Sequence, residues 1–425
     1  MRKYLILGAA LLAAACGPRP SAQVEKVELY TMVGDYGMLV DAIEITVSDA
    51  ASLRGLKPED FDLTNNVSDA FVDAETGKAP EPFENDHIVL IRKKNVLRIE
   101  ATPFSKAGKM EGFFQHVPWE LHCAVDSALC ITPDQVTGEH IAIIDDCETG
   151  SFTFAGLTRE YMLHLPKDEK GNVIPNVPLL VWQIGGGEYD KDLMTAATAN
   201  RCLVSLPAEG IPCATLVFAI ANPNYSYSAS LDPEKIELID RNNALQMAFI
   251  DQLVAEGKVD GSRLFCAGAS SGGGCTMRFM MQFPDRFKAA IPCCAMDPIV
   301  PIHRVEEKSP SLFASDVERV WRSDEAVYKW DGNDMVLSPM DVDAFAKLPM
   351  FFVHAKTDRT CKVVSTMAYG EARFRLGARD DMIRILSDED LVQWGVHPMM
   401  AHFSWVPLLD DYSEGSPMDW LVKKF

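Results

Sequence analysis

The sequence predicts an α/β protein with a mainly parallel sheet covered by helices on both faces, preceded by a small all-β sandwich. Three observations carry this. Short apolar strand-like runs alternate with helical patterns from about residue 152 onward. A strand-to-helix turn of unusual composition interrupts the middle of that stretch. Residues 24–105 hold only strand-like runs separated by polar turns.

The N-terminus carries an address. Arg2 and Lys3 precede an apolar run from Tyr4 to Ala15, too short for the roughly 20 residues a spanning helix needs. It reads as a secretory signal peptide over residues 1–16. Leu12-Ala-Ala-Ala-Cys16 resembles a bacterial lipobox, with Ala13 where leucine is usual, so Cys16 is a candidate lipidation site and Gly17–Val24 a tether. The expectation is an exported protein lipid-anchored to the cell envelope, or secreted if cleavage simply follows the alanines. No other segment is apolar for long enough to cross a bilayer.

Residues 24–105 supply the sandwich through Val27–Met32, Leu39–Val47, His87–Ile91 and Val96–Ala101. Residues 106–150 read as a connecting segment. The α/β domain, 151–425, then runs through strands at Tyr161–Leu165, Leu179–Ile184, Leu216–Ile220, Leu264–Ala267, Ala289–Pro292, Met350–His354 and Met382–Leu386. A helix follows Asp232-Pro233 and is closed by Gly257; another is expected near Thr366–Leu376. Residues 298–348, rich in Pro, Trp and charge, break the rhythm and read as an insertion over the active face.

The formal net charge of −21 becomes −23 once Arg2 and Lys3 leave with the signal peptide. A chain this acidic offers no basic patch for nucleic acid, and contacts a membrane only through an N-terminal lipid. Ten cysteines remain beyond Cys16. Export permits disulfides, with Cys123/Cys130 and Cys202/Cys213 as nearby pairs, while several cysteines suit small buried apolar positions. No C-x-x-C occurs, and adjacent Cys293 and Cys294 cannot both face one metal from a strand, so no metal is expected.

The turn that matters is Gly268-Ala-Ser270-Ser-Gly272, between the strand Leu264–Ala267 and a helical run from Thr276. This G-x-S-x-G, in strand–turn–helix context, is where a nucleophile elbow places a serine above a sheet. Ser270 is the candidate nucleophile. A serine hydroxyl needs a base, and the base needs a group to orient it. In the chain order Ser, acid, His, only His397 and His402 lie beyond the last acid-bearing strand. His402, in Met400-Ala-His-Phe-Ser-Trp405, is the candidate and His397 the alternative. Asp358, in the loop after Met350–His354, is the candidate acid; Asp388 and Asp390 are alternatives. His354, at that strand's end, shapes the loop. An oxyanion needs fixed backbone N–H donors. One falls to Ser271, the other to the loop Gly185-Gly-Gly-Glu188, where glycines allow close backbone approach.

With these motifs in place, the chain resembles bacterial α/β-hydrolases described as predicted peptidases or carboxylesterases. They are relatives of polyhydroxybutyrate depolymerases and of feruloyl and acetylxylan esterases, several carrying an immunoglobulin-like N-terminal domain. The resemblance rests on Tyr161-Met-Leu-His-Leu-Pro166, Gly185–Glu188, Arg263–Pro292, Phe352–Asp358, His402–Trp405 and Asp419–Leu421. It implies an α/β-hydrolase fold, a Ser270–Asp358–His402 triad and Gly186 as the second oxyanion donor, with no cofactor. Where those relatives have histidine before the oxyanion glycines this chain has Ile184, and His354-Ala355 stands for their His-Gly. The expected activity is a carboxylesterase acting on a small-molecule or polysaccharide-linked ester through an acyl-enzyme. A serine peptidase is the alternative and a non-catalytic binding lipoprotein the second. Aromatics at Asn222–Tyr227 and at Trp321, Tyr328 and Trp330 are candidates for a substrate pocket.

Overall fold

A computed structural model describes residues 19–425, apart from 66–82, 85–86, 111–112, 222–232, 296–301, 305–317, 323–324, 331–332, 338–347 and most of 362–381. Cys16 and residues 222–227 lie outside the described residues, as does most of the helix expected over 366–376.

The N-terminal part is a two-sheet sandwich. One sheet joins β1 (Val24–Gly34) and β2 (Gly37–Val47) to strands from further along the chain. The other is formed by β3 (Phe61–Asn65) and β4 (Phe83–Glu84) with a later strand. β5 (Val89–Lys93), β6 (Val96–Met110) and β7 (Phe113–His116) extend the first sheet, while β8 (Trp119–Cys123) completes the second. β9 (Gly138–Ile141) returns to pair in parallel with β1. Alternation along β3 and β8 turns Phe61, Leu63, Trp119 and Leu121 inward, onto Val27, Ile43 and Leu97 of the facing sheet.

The boundary expected at residue 105 is therefore corrected. Residues 106–141 supply the end of β6 and all of β7 to β9, so they belong to the sandwich rather than to a connector. The reason is long range: the parallel β1–β9 pair closes a loop of more than 100 residues, which no local pattern announces.

The second domain is an eight-stranded sheet. Its strands are β10 (Glu148–Phe154), β11 (Leu157–His164), β12 (Val177–Gln183), β13 (Ala214–Phe218), β14 (Val259–Ala269) and β15 (Phe287–Cys293). After the four strands β16 (Ile302–Arg304), β17 (Glu318–Arg322), β18 (Glu325–Trp330) and β19 (Asn333–Leu337), β20 (Phe351–Ala355) and β21 (Met382–Leu386) finish it. The order is β10-β11-β13-β12-β14-β15-β20-β21, antiparallel at the first two pairings and parallel beyond. β12 and β13 are buried along their whole length, as strands covered on both faces must be. α1 (Pro233–Ala255) and α2 (Ser271–Gln282) pack against β14.

The insertion forms its own antiparallel sheet, ordered β16-β19-β18-β17. Trp321, Tyr328 and Trp330 lie on its strands, and their side chains are outside the described part. Among the described residues no helix is long and apolar enough to cross a membrane.

The two domains share a core. Val33 and Met38, flanking the β1–β2 turn, are buried within the hydrophobic cluster of the second domain rather than that of the sandwich. Tyr36, at the turn, sets its ring edge-on to Phe403 with centroids 5.9 Å apart.

Candidate active site

The site assembles at the C-terminal ends of the parallel strands. β14 ends at Ala269, and Ser270 follows with φ 60° and ψ −123°, a strained conformation for a residue bearing a Cβ. Neighbouring bonds hold it there: its N–H donates to Cys293 O at 3.0 Å, and its carbonyl accepts from Gly273 and Gly274 to start α2. The flanking glycines are sterically required. A Cβ on Gly268 would lie 2.6 Å from Gln183 O, and one on Gly272 only 2.0 Å from the same oxygen.

The oxyanion loop follows β12 directly against this elbow. An ideal Cβ on Gly185 would come 3.3 Å from Ala269 O, and one on Gly186 3.4 Å from Ser271 Oγ. Glu188, buried at 2% exposure, pins the turn: its Oε2 accepts from Gly185 N–H at 2.8 Å and its own N–H donates to Gly185 O. Ile184 points into the hydrophobic core at 1% exposure, away from any polar role.

Asp358 lies in the turn after β20, 3% exposed. One carboxylate oxygen, Oδ1, accepts from the backbone N–H groups of Thr360 and Cys361 at 2.8 and 2.9 Å. The other, Oδ2, lies 2.8 Å from His402 Nδ1. Burial pushes the carboxyl up, but hydrogen bonds from His354 and His402 outweigh it and hold the group well below the ordinary carboxylate range. With Nδ1–H given to Asp358, Nε2 is the imidazole nitrogen free to take a proton. His354 is fully buried; its Nδ1 sits 2.7 Å from Thr366 Oγ1, and its Nε2 lies 2.8 Å from Cys361 O and 3.5 Å from Asp358 Oδ2. It locks the loop that carries the acid.

The alternatives are placed elsewhere. His397 caps a 3-10 turn by accepting from Met399 N–H. Asp388 accepts from Thr357 Oγ1, and Asp390 completes a capping box with Ser387.

Ser270, His402, Ser271 and Gly185–Gly187 line one cavity of about 440 Å³, whose apolar walls are Trp182, Phe403 and Trp405. Trp182 and Trp405 rings lie 5.6 Å apart. Ser270 Oγ rests 3.9 Å from Cys361 Sγ. Cys361 and Trp182 were missed by sequence reasoning; only their places one turn after the acid and beside the oxyanion loop hinted at them.

Cys294, Asp358 and His402 bring potential ligand atoms within 4.8 Å of one another. The Asp358–His402 hydrogen bond already accounts for that closeness. No disulfide joins any of the ten described cysteines, correcting the expected pairs. Cys130 Sγ lies 3.2 Å from Cys123 N, over the backbone rather than the partner sulfur, and Cys213 Sγ turns to Pro178 O.

The order of strands and the elbow at Ser270 are those of the α/β-hydrolase fold. Residues 242–390 match the model of the prolyl oligopeptidase family. A structure described as a thermostable esterase aligns over 94% of this chain and 99% of its own, at 18% identity and a TM-score of 0.65. An α/β-hydrolase from a Medee basin deep-sea metagenome library aligns over 66% of this chain and 98% of its own, at 12% identity and a TM-score of 0.41. A dipeptidyl aminopeptidase IV described as putative, from Bacteroides ovatus, covers 82% of this chain with 45% of its own, at 12% identity and a TM-score of 0.40. No curated protein matches the chain.

Proposed function

We propose that the chain is a serine carboxylesterase. The observation that carries this is the 2.8 Å bond from His402 Nδ1 to a buried, charged Asp358, on a cavity shared with a strained Ser270. In the proposed cycle Asp358 fixes the imidazole tautomer and His402 Nε2 takes the Ser270 proton. Ser270 Oγ attacks the ester carbonyl. Backbone N–H groups of Ser271 and Gly186 receive the oxyanion, held ready by Glu188. His402 then protonates the leaving alcohol, and water, deprotonated by the same nitrogen, releases the acid from Ser270. The tryptophan-walled cavity suits an apolar acyl group. No metal or organic cofactor takes part.

A peptidase using the same residues is the second reading, favoured by the partial match to the prolyl oligopeptidase family. Amide cleavage demands more of the leaving-group protonation, so the ester is preferred. Export with lipidation at Cys16 rests on residues 1–16 alone, and kinship of the sandwich with immunoglobulin domains on the resemblance alone.

The test is hydrolysis of p-nitrophenyl esters of increasing chain length against a p-nitroanilide, with Ser270→Ala beside the parent. Ester turnover lost in the variant, with fluorophosphonate labelling of Ser270, supports the proposal. Preference for the anilide replaces it with the peptidase. No turnover and no labelling leaves a binding protein.

A further inference from the structure

The wall of the catalytic cavity holds a polar side chain that the proposed cycle does not use. Asn200 follows the short helix Leu193–Thr198 and lines the cavity together with Trp182, Trp405 and the oxyanion loop. It is 1% exposed. Its Oδ1 accepts from Cys202 N–H at 2.9 Å, which fixes the orientation of the amide. The segment is anchored in turn through Leu203 O, which accepts from Thr215 Oγ1 of β13 at 2.8 Å.

The bond to Cys202 occupies the amide oxygen and turns Nδ2 the other way. That nitrogen has no partner among the described residues, and it is not sealed in as Trp182 Nε1 is behind the same wall. The open side of Asn200 is the cavity. The remaining polar side chains there are engaged. Glu188 holds Gly185 N–H, while Ser271, Thr360 and Cys361 have partners of their own. Ser270 and His402 perform the chemistry. Asn200 Nδ2 is a fixed donor whose acceptor has to come with a ligand.

Such a donor selects by complementarity. Water meets it in an open cavity, but a substrate lying against Trp182 and Trp405 displaces that water. A chain of methylene groups alone then leaves the N–H unmet, at the full desolvation cost of a buried amide. A chain with an oxygen at that point accepts the bond instead, and the analogue lacking it is rejected. With Oδ1 spent on Cys202, Asn200 has nothing to offer a donor such as an ammonium group. Among the described residues no Lys or Arg lines the cavity, so a neutral oxygen fits and a carboxylate does not.

We propose that Asn200 is a specificity-determining residue, donating to a neutral ether or carbonyl oxygen in the non-reacting part of the ester. This rests on the carboxylesterase reading and narrows its substrates to esters whose apolar chain is interrupted by oxygen.

The experiment compares kcat/KM of the full chain on three pairs of esters of matched shape. They are methyl methoxyacetate with methyl butyrate, methyl 3-methoxypropionate with methyl pentanoate, and 2-methoxyethyl acetate with butyl acetate. Each value is divided by the rate at which hydroxide hydrolyses the same ester, which removes intrinsic reactivity. In at least one pair the parent is expected to favour the ether ester, and Asn200→Leu to lower that ether-to-hydrocarbon ratio at least tenfold. A ratio unchanged by Asn200→Leu in all three pairs overturns the proposal. So does a parental preference for the hydrocarbon member of every pair. Because the variant also frees Cys202 N–H, the parental preference alone decides should Asn200→Leu fail to fold. Turnover of the hydrocarbon esters without any ether preference removes this proposal and leaves the carboxylesterase standing, whereas turnover of no ester defeats both.

Discussion

Replacing Asp358 with asparagine tests the candidate triad at its least redundant bond. Two backbone N–H groups, from Thr360 and Cys361, converge on Oδ1. In the variant they select the amide oxygen for that position, because the NH₂ group cannot accept them. The amide nitrogen is thereby forced into the place of Oδ2, 2.8 Å from His402 Nδ1. It must donate there, so the imidazole proton moves to Nε2, the nitrogen meant to receive the serine proton. The wrong tautomer of this kind costs about 10⁴-fold in turnover in a Ser-His-Asp enzyme, or about 5.5 kcal/mol of barrier. Side-chain volume is unchanged and the backbone contacts survive, so the fold should hold. The assay is initial rates on p-nitrophenyl acetate, with melting temperature measured beside it. A folded Asp358→Asn protein retaining more than about a hundredth of parental kcat would refute the assignment of Asp358 as the orienting acid.

Other perturbations follow from the same geometry. Gly272→Ala places a methyl group 2.0 Å from Gln183 O, so the elbow must open; loss of soluble folded protein or of all fluorophosphonate labelling is expected. Tyr36→Ala removes the ring that buttresses Phe403, next to His402, and is expected to lower kcat about tenfold with little change in KM. Tyr36→Phe, which keeps the ring, should restore most of it. Burial pushes the Asp410 carboxyl up, and the Asp35 carboxyl adds to this against the pull of Arg201, to about 6. An acid with a raised folded value binds its proton more tightly in the folded state. Its contribution is therefore fullest below about pH 4 and is lost as pH rises through about 6. Urea midpoints should fall between pH 4.5 and 7, and Asp410→Asn should flatten that fall.

The parts of the structure readable from sequence are those set by neighbours along the chain. The elbow announces itself because strand, strained serine and helix start all lie within Leu264–Gln282. The loop acid after β20 and a histidine beyond β21 follow from the order of strands. What escaped depends on segments distant in sequence. The sandwich boundary was misplaced because β9 pairs with β1. Cys123 and Cys130 are close along the chain, yet the 3-10 turn at Ser127–Leu129 aims one sulfur at the other's backbone. Cys361 reaches Ser270, and Tyr36 reaches Phe403, only through tertiary packing.

The burial of Val33 and Met38 in the hydrolase core bears on how the molecule is assembled. The sandwich has a hydrophobic interior of its own and can collapse as soon as it leaves the ribosome. Its turn then protrudes with two apolar residues uncovered until the hydrolase core forms, and Tyr36 waits for Phe403, which lies more than 360 residues further along the chain. A hydrolase domain made alone has the converse defect, an apolar notch beside the histidine loop. Neither half is a spare part.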